Sequence, residues 1–309
     1  MSPQPGPPAA GEFDYIRWLR ARTPADSRVL IGPGDDCAAL RPPARPLLVT
    51  TDMLMYGTDF VVAEVGPRRV GRKAMAANLS DIAAMAGRPV AAVVGVVLPK
   101  SGGPGLAEDL YRGLRDIADE FDTALVGGDT NSWDGKLVIS VTVLGETIGR
   151  GPVPRSGAKS GDWLMVTGPL GGSILGHHLD FTPRVREALL LHERVELHAM
   201  IDISDGLAAD VNHLCEESRC GAVLVAESIP ISDAAKRMDD SRTPLDHALT
   251  DGEDFELAFA VSGTDGERLL RSPPFAGLAR IGEFATSGFW LESAGARRAL
   301  PSRGWTHEF

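Results

Sequence analysis

The chain has 309 residues, 43% of them hydrophobic and 24% charged, and carries a formal net charge of −11. This length predicts two domains, and the acidic charge without any basic run excludes a typical nucleic-acid-binding protein. The longest apolar run, residues 90–98, is too short to cross a bilayer, and the three cysteines are too few for a disulfide framework. The composition therefore predicts a cytoplasmic globular protein with no nucleic-acid or membrane partner.

The first half of the chain alternates helical and strand-like patterns. Residues 1–10 are rich in proline and lack the pattern of a signal peptide, which predicts a disordered lead. The predicted elements that follow are a helix at 12–22, a strand at 47–52, a helix at 67–86, a strand at 89–99, a helix at 105–121 and strands at 123–130 and 136–146. The strand at 123–130 is expected to end in a glycine turn.

The composition shifts to glycine, proline, arginine and serine around residues 149–161, which predicts a domain boundary there. The expected domains are an N-terminal one at 11–150 and a C-terminal one at 151–309. The second contains predicted strands at 163–167, 199–204, 222–226 and 255–261, a glycine turn at 168–173 and a helix at 206–217. Two α+β or α/β domains with mixed sheets fit this order better than eight regular βα units.

Acidic side chains recur where a predicted strand ends or a turn begins. These positions are Asp35, Asp36, Asp52, Asp129, Asp202 and Asp205, while Asp81 lies inside a helix on the same face as Asn78. A single aspartate at a turn is commonly structural, but a repeated set beside hydroxyls and glycines favours magnesium and phosphate binding. The known phosphate loops, a P-loop or a G-x-G-x-x-G helix start, are absent from the sequence.

The run "IDISDGLAAD" places Asp202, Ser204 and Asp205 close together at a predicted strand-to-helix junction. It resembles the start of a calcium loop, but the twelfth residue from Asp202 is His213, where such a loop requires a glutamate. The calcium-loop interpretation is therefore rejected. Capping of the helix at 206–217 by Ser204 or Asp205 is the structural alternative, and it explains only one of the three residues.

Seven motifs carry a resemblance to a known family: "IGPGDDCAAL", "VTTDMLMYGTDF", "KAMAANLSDIAAMAG", "VGGDT", "RSGAKSGDWLMVTGPLGGS", "IDISDGLAADVNHL" and "DGEDFELAF". In this order and spacing they resemble the thiamine-monophosphate kinase family of the aminoimidazole-ribonucleotide-synthetase superfamily. The resemblance covers nearly the whole chain from about Gly11 onward. The combination of "NLSDIAAMAG", "GGDT", "DISDGL" and "GEDFE" distinguishes this branch of the superfamily.

The resemblance implies an enzyme that transfers a phosphoryl group from ATP to thiamine monophosphate with the help of several magnesium ions. It also implies a homodimer in which N-terminal mixed-sheet domains pair, with C-terminal α/β domains outside. The implied magnesium contacts are Asp36, Thr50, Thr51, Asp52, Asp81, Asp129, Asp202 and Asp205. The implied ATP contacts are Tyr111, Gly128, Asp129, Arg155 and Ser204, and the implied substrate contacts are Asp59, Glu253 and Trp305.

The implied acceptor is a phosphate monoester that is largely a dianion near neutral pH, so no general base is expected. Metal ions and Arg155 would instead neutralise charge. Three features depart from the family pattern: Asp59 stands where many relatives have histidine, "TDGEDFE" replaces "GGEDYE", and the stretch at 173–200 is short. Two alternatives stay open, namely an ATP-using cyclo-ligase of the same superfamily and a non-catalytic nucleotide- or metal-binding protein on the same fold.

Overall fold

The computed structural model describes residues 12–33 and 37–305. The predicted disordered lead at 1–10 and the predicted magnesium ligand Asp36 lie outside the described residues.

The chain divides into two compact units. The first comprises Met1–Leu79 and Pro89–Glu146, and the second comprises Ser80–Arg88 and Thr147–Phe309. The third crossing point, between Glu146 and Thr147, lies close to the boundary expected near residue 150. The short segment Ser80–Arg88 groups with the second unit, so the chain passes between the units more than once.

The first unit contains a four-stranded mixed sheet with three helices and part of a fourth. Its strands are β1 (Val29–Ile31), β2 (Ala39–Leu40), β3 (Leu47–Met55), β4 (Gly87–Pro99), β5 (Ala124–Trp133) and β6 (Val138–Thr147). Its helices are α1 (Glu12–Arg20), α2 (Val62–Val65), α3 (Pro67–Ala84), whose last turn belongs to the second unit, and α4 (Gly103–Glu120). The sheet order is β3-β6-β4-β5, with β3 and β6 antiparallel and β4 and β5 parallel, while β1 and β2 form a separate pair.

Helices α3 and α4 cross at two glycines. A Cβ atom at Gly71 would lie 2.1 Å from the carbonyl oxygen of Leu110, and one at Gly113 would lie 1.8 Å from that of Arg68. Only glycine permits backbones to approach so closely, because any side chain would force the helices apart. This crossing fixes the position of α4, which carries Tyr111.

Strands β3 and β5 are longer than the sequence pattern predicts. Strand β3 continues past Asp52 to Met55, and β5 continues past the predicted glycine turn to Trp133. The prediction that β5 ends at its glycines was wrong, because Gly128 pairs with Val94 in extended backbone and leaves no room for a Cβ, which would lie 2.0 Å from the Val94 oxygen. Asp52 and Asp129 therefore lie within strands.

Strand β3 shows the alternation expected of a strand with two different faces. Every second side chain is exposed, and the large apolar ones are Leu47, Val49, Met53 and Met55, whose exposed fractions run from 44% to 63%. The facing residues of β6 on that side are also partly exposed. The first unit thus presents an apolar strip along β3, which we call the β3 face and define by these four residues.

The second unit contains a seven-stranded mixed sheet flanked by helices. Its strands are β7 (Trp163–Val166), β8 (Leu197–Asp202), β9 (Gly221–Val225), β10 (Leu257–Val261), β11 (Ala279–Ala285), β12 (Phe289–Ser293) and β13 (Ala296–Ala299). Its helices are α5 (His177–Asp180), α6 (Val185–Arg194), α7 (Leu207–Ser218), α8 (Asp233–Arg237), α9 (Pro244–Thr250) and α10 (Gly263–Arg271). The sheet order is β13-β12-β9-β11-β7-β10-β8, and of these neighbours only β12 and β9 run parallel.

The centre of this sheet is fully covered. All five residues of β10 are buried, as expected for an apolar strand with both faces packed. Leu214 of α7 and Ala258 of β10 belong to one continuous apolar core of this unit. The two units, each a mixed sheet with helices, confirm the predicted fold class. Within the described part of the chain, no helix has the length and apolarity to span a membrane.

Candidate active site

The loop Ser204–Gly206 joins β8 to α7 in the second unit. Asp202 is the last residue of β8 and lies opposite Leu257 of β10, so the loop leaves the sheet at its edge strand. Gly206 has φ +120°, a backbone conformation that a residue with a side chain rarely adopts. This turn is the reason a glycine follows Asp205.

Neither Ser204 nor Asp205 is the N-cap residue of α7. Gly206 is the N-cap of α7, and no side chain of the cap residue accepts a hydrogen bond there, so capping by Ser204 or Asp205 was a wrong prediction. Asp210 instead reaches back from the first turn, and its Oδ2 accepts the N–H groups of Asp205 and Gly206, both at 3.0 Å. Asp210 therefore fixes the backbone on both sides of the Asp205–Gly206 peptide bond.

Glu253 and Trp305, which are far apart in sequence, both meet this loop. The Glu253 N–H donates to the Ser204 carbonyl at 2.7 Å, and the Trp305 N–H donates to the Asp205 carbonyl at 2.9 Å. The Trp305 side chain is 56% exposed, so it does not pack the tail onto the core as a buried tryptophan would. The structure thus brings together two predicted substrate contacts, a predicted magnesium ligand and a predicted ATP contact.

The backbone around Glu253 is strained. Glu253 has φ +63° and Phe255 has φ +50°, both in the left-handed region that costs energy for residues other than glycine. The Phe255 N–H donates to the Ile203 carbonyl at 2.8 Å, which continues the ladder begun by Glu253 and Ser204. The hydrogen bonds donated by Glu253 and Phe255 hold this strained backbone against Ile203 and Ser204.

Two further carboxylates of the same motif bind N–H groups of the glycine turn that follows β7, and a third lies beside the first glycine of that turn. Asp254 accepts the Gly171 N–H with both oxygens at 2.9 Å, and Asp251 accepts the Gly172 N–H at 2.8 Å. Burial raises the pKa of Asp254 well above its usual range. Glu256, 3% exposed, is paired with Arg184 and accepts the Thr167 hydroxyl. These side chains build the site's support, whereas Glu253 is the member of the motif whose backbone meets the Ser204–Gly206 loop.

Asp202 and Asp81 are connected through Ser80. The Ser80 hydroxyl donates to Asp202 Oδ2 at 2.7 Å, and both residues are buried. Asp81 follows Ser80 on α3 and is half-buried, and both belong to the second unit. This contact brings two of the predicted magnesium ligands into one region of that unit.

Arg155 is exposed and lies close enough to act electrostatically on this region. Burial, and next the negative charge of Asp205, raise the pKa of Asp210 to about 7, and the Arg155 charge partly opposes this rise. The Arg155 carbonyl also accepts the Ser218 hydroxyl at 3.2 Å, which ties the arginine's backbone to the end of α7. The predicted ATP contact of Arg155 stays a prediction, but the positive charge of Arg155 acts on Asp210, which lies next to Asp205.

In the first unit, the predicted ligands on β3 are split between two faces. Thr50 and Asp52 point to the less exposed face, and the Asp52 N–H donates to Asn78 Oδ1 at 3.1 Å. Thr51 points to the β3 face, where its hydroxyl donates to the Val141 carbonyl and accepts the Thr142 hydroxyl. The side chains of these three predicted ligands therefore do not point the same way.

Asp129 and Gly128 lie on β5, at the opposite edge of the four-stranded sheet from β3. Three strand spacings of about 4.8 Å separate the edge strands by roughly 14 Å. A magnesium–oxygen bond is about 2.1 Å long, so within one chain Asp52 and Asp129 would hold different ions. The distance between β3 and β5 therefore favours several magnesium ions over a single ion.

Asp59 and Tyr111 have structural surroundings in the first unit. Asp59 Oδ2 accepts the Met55 N–H at 2.6 Å and closes the turn after β3. Tyr111 is buried edge-on against Trp18 of α1, with 5.3 Å between ring centroids, and its hydroxyl has no hydrogen-bond partner among the described residues. The substrate contact of Asp59 and the ATP contact of Tyr111 stay predictions.

The sequence interpretation missed Asp210 as a support of the Ser204–Gly206 loop. Asp205, Asp210 and His213 each offer a ligand atom, and these atoms lie within 4.8 Å of one another. The available signal was the position of Asp210 in the first turn of α7, from which a side chain can reach back to the residues before the helix. An apolar-periodicity argument could not detect it, because such an argument classifies a buried carboxylate as a surface position.

Comparisons with known proteins identify the family. Residues 34–147 match the AIR synthase related protein, N-terminal domain, and residues 159–288 match the C-terminal domain of the same family. The thiamine-monophosphate kinase of Rhodopirellula baltica is 40% identical over 309 residues, which cover 96% of this chain and 97% of the relative.

Solved structures agree with this assignment. The crystal structure of thiamine-monophosphate kinase from Stenotrophomonas maltophilia is 34% identical, covers 91% of this chain and 95% of its own, and superposes with a TM-score of 0.78. AaThiL complexed with AMPPCP and TMP is 29% identical, with a TM-score of 0.76 and coverage of 96% and 97%. The predicted resemblance is confirmed. The chain belongs to the thiamine-monophosphate kinase family, whose members are phosphotransferases built from the two AIR synthase related domains.

Proposed function

We propose that this protein is a cytoplasmic enzyme that phosphorylates thiamine monophosphate to thiamine diphosphate, with ATP as donor and magnesium as cofactor, by direct in-line transfer. The observation that carries the proposal is the meeting of Glu253 and Trp305 with the Ser204–Gly206 loop. Residues assigned to metal, ATP and thiamine thereby lie around one short segment. A relative of the same fold complexed with AMPPCP, an ATP analogue, and TMP supports the pair of substrates.

The donor atoms of this region suit magnesium. Asp81, Asp202 and Asp205 offer carboxylate oxygens, and hard oxygen donors are the ligands that magnesium prefers. Asp210 accepts the N–H groups of Asp205 and Gly206, which fixes the backbone that carries the Asp205 carboxylate. We propose these three in the second unit, with Thr50, Asp52 and Asp129 in the first, as the residues that hold the ions. Bound magnesium would offset the negative charge of the phosphates.

The protein's own side chains then have two tasks toward ATP. Arg155 adds a planar, permanently positive group suited to phosphate oxygens. Ser204, whose carbonyl is fixed by Glu253, offers a hydroxyl to the nucleotide. No residue is required to remove a proton, because the acceptor phosphate is already largely dianionic near neutral pH. Positioning and charge neutralisation are the main contributions in phosphoryl transfer of this kind.

Glu253 and Trp305 suit the thiamine part of the acceptor. Thiamine carries a positively charged thiazolium and a flat aminopyrimidine. The Glu253 carboxylate offers charge and a hydrogen-bond acceptor, and the exposed face of Trp305 offers a cation–π contact worth roughly 0.5–2 kcal/mol. Since both backbones are attached to the same loop, their spacing is set by the loop itself.

We also propose a homodimer that pairs through the first unit. The β3 face is a strip of apolar side chains that water contacts in the single chain, and Val93 of β4 is 38% exposed as well. A contiguous exposed apolar surface of this kind usually marks an association surface. Pairing two sheets through such strips would bury it on both partners.

The test is incubation of the purified protein with magnesium, thiamine monophosphate and ATP made chiral at the γ-phosphorus by oxygen isotopes, followed by product analysis. Direct transfer predicts thiamine diphosphate with inverted configuration at the transferred phosphorus. Retention would indicate a phosphorylated enzyme intermediate and would refute in-line transfer. Binding of ATP without turnover would favour a non-catalytic protein, and ATP turnover only with an amide or formyl substrate would favour a cyclo-ligase.

A further inference from the structure

Asp210 makes an unusual set of contacts for a residue in the first turn of a helix. Its carboxylate accepts the N–H groups of Asp205 and Gly206, and its own N–H donates to the Gly206 carbonyl at 3.0 Å. The side chain is 1% exposed. One buried residue thus accepts two consecutive backbone N–H groups with its side chain and donates its own N–H group to the second of the same two residues.

The loop is held on two sides by different groups. The segments containing Glu253 and Trp305 bind its carbonyl oxygens, while Asp210 binds its amide hydrogens. With the Asp205 N–H bound by Asp210 and its carbonyl bound by Trp305, both peptide groups flanking the Asp205 side chain have fixed directions. The direction in which the Asp205 carboxylate leaves the backbone is therefore set by these two contacts.

A simple helix cap would not require this arrangement. Serine or aspartate at the cap position accepts the N–H groups of the second and third helical residues, whereas Asp210 accepts two N–H groups that precede the helix. Placing a buried carboxylate beside another carboxylate is costly by comparison. The arrangement becomes reasonable if the Ser204 and Asp205 side chains are needed for contacts outside the helix.

We propose that Asp210 is a positioning residue, which fixes the Ser204–Asp205 backbone so that the Asp205 carboxylate is presented to a divalent cation. The proposal rests on the proposed function for the identity of the reaction, but the cation-binding step can be measured without turnover. Residues that orient metal ligands without touching the metal commonly change affinity or activity by about 10–100-fold when mutated.

The experiment compares Asp210→Ala, which removes the acceptor, with Asp210→Asn, which keeps one acceptor oxygen in the same place. Asn212→Ala is the matched control, because Asn212 lies on the same helix and its side chain donates to Glu216 at an exposed site. Each protein is titrated with manganese, a spin-active substitute for magnesium, and free ion is measured by electron paramagnetic resonance. Thermal melting of the apoprotein is recorded beside each titration.

We expect Asp210→Ala to weaken manganese binding by about tenfold or more, Asp210→Asn to recover most of it, and Asn212→Ala to match the wild type. A structural role alone would lower the melting temperature of Asp210→Ala and leave the manganese affinity of its folded fraction unchanged, which would overturn the proposal. If Asp210→Ala does not fold, Asp210→Ser, whose side-chain oxygen is one bond closer to the backbone, decides by the ratio of kcat to KM at limiting magnesium. Loss that added magnesium reverses supports the proposal, and loss that it does not reverse, or no loss, contradicts it. A wild type that binds manganese but forms no thiamine diphosphate refutes the proposed function alone.

Discussion

The two units hold their predicted cation-binding side chains in different ways. In the first unit, Thr50, Asp52 and Asp129 are fixed by strand geometry, so their directions follow from alternation and from their place in the sheet. In the second, Ser204 and Asp205 lie on a loop whose backbone is hydrogen-bonded by three residues. Asp210 belongs to the helix that follows the loop, and Glu253 and Trp305 belong to distant parts of the chain. A strand therefore spreads its ligands over edges and faces, whereas the bound loop concentrates chemically different groups within a few residues.

This difference explains why the second unit gives the clearer functional assignment. Glu253 and Trp305 are hydrogen-bonded through their backbones to the loop that carries Ser204 and Asp205, whereas Asp52 and Asp129 lie on opposite edges of a sheet. Substitutions in each unit can break or sharpen this contrast, and their expected effects range from large losses of rate to a small change in stability.

The largest effect is expected when a carboxylate is replaced in either unit. Asp205→Asn and Asp52→Asn should each lower kcat by about 100-fold or more, because an amide neutralises no charge and binds magnesium poorly. The measurement is the initial rate of thiamine diphosphate formation at saturating substrates. Asp134→Asn is the control, since Asp134 is an exposed carboxylate paired with Lys100. Wild-type rates in both Asp205→Asn and Asp52→Asn would remove the cation assignment from both units.

The next effect concerns the β3 face of the first unit. Met53→Glu should weaken self-association by about 100-fold, because a charge would be desolvated in the paired surface. Analytical ultracentrifugation across a concentration series measures this directly. Leu270→Glu places the same charge at an exposed apolar residue of the second unit and should leave association unchanged. Equal sedimentation of Met53→Glu and wild type would contradict pairing through this face.

A smaller effect is expected at the second unit's loop. Trp305→Ala should raise the KM for thiamine monophosphate by about tenfold and leave the KM for ATP nearly unchanged, since the lost contact is a cation–π contact with the acceptor. Trp290→Ala, which removes a partly exposed tryptophan of β12, is the matched control. Equal increases in both KM values, together with a lower melting temperature, would show that Trp305 has a packing role only.

The smallest effect is a pH dependence of stability in the second unit. His192 Nε2 accepts the Arg150 N–H at 3.1 Å, and burial, together with the Arg150 charge, lowers the pKa of His192 below its ordinary value of 6.5. The unfolded chain then binds the proton more readily than the folded one, so unfolding free energy is lost as the pH falls through about 6.5. His192→Gln should flatten this loss in thermal melts between about pH 7.5 and 5.5. An unchanged slope in the variant would show that protonation of His192 does not cause the loss.

The sequence allowed the fold class and most elements to be predicted, because apolar periodicity and turn residues report directly on strands such as β6 and helices such as α7. The end of β5 was predicted wrongly, since Gly128 serves close backbone pairing there and not a turn. Alternation along the predicted strand at 47–52 was sufficient to separate Thr51 from Thr50 and Asp52, because successive side chains of a strand point to opposite faces.

The support of the site could not be predicted from periodicity. The reach of Asp210 back to Asp205, and the meeting of Glu253 and Trp305 at one loop, depend on contacts between segments whose sequence separation carries no pattern. Family resemblance supplied Glu253 and Trp305 as candidates, and the fold shows that the backbones of both bind one loop. The role of Asp210 follows from neither periodicity nor resemblance, but only from the contacts of the folded chain.

The most direct test of the proposed reaction is its stoichiometry as a function of free magnesium. The wild-type protein is incubated with ATP and thiamine monophosphate, and ADP and thiamine diphosphate are measured together by chromatography over a magnesium titration that begins in chelator. Magnesium-dependent phosphoryl transfer predicts no product in chelator, restoration by magnesium, and one thiamine diphosphate for each ADP. Product formed at the same rate in chelator, or ADP formed without thiamine diphosphate, would contradict it.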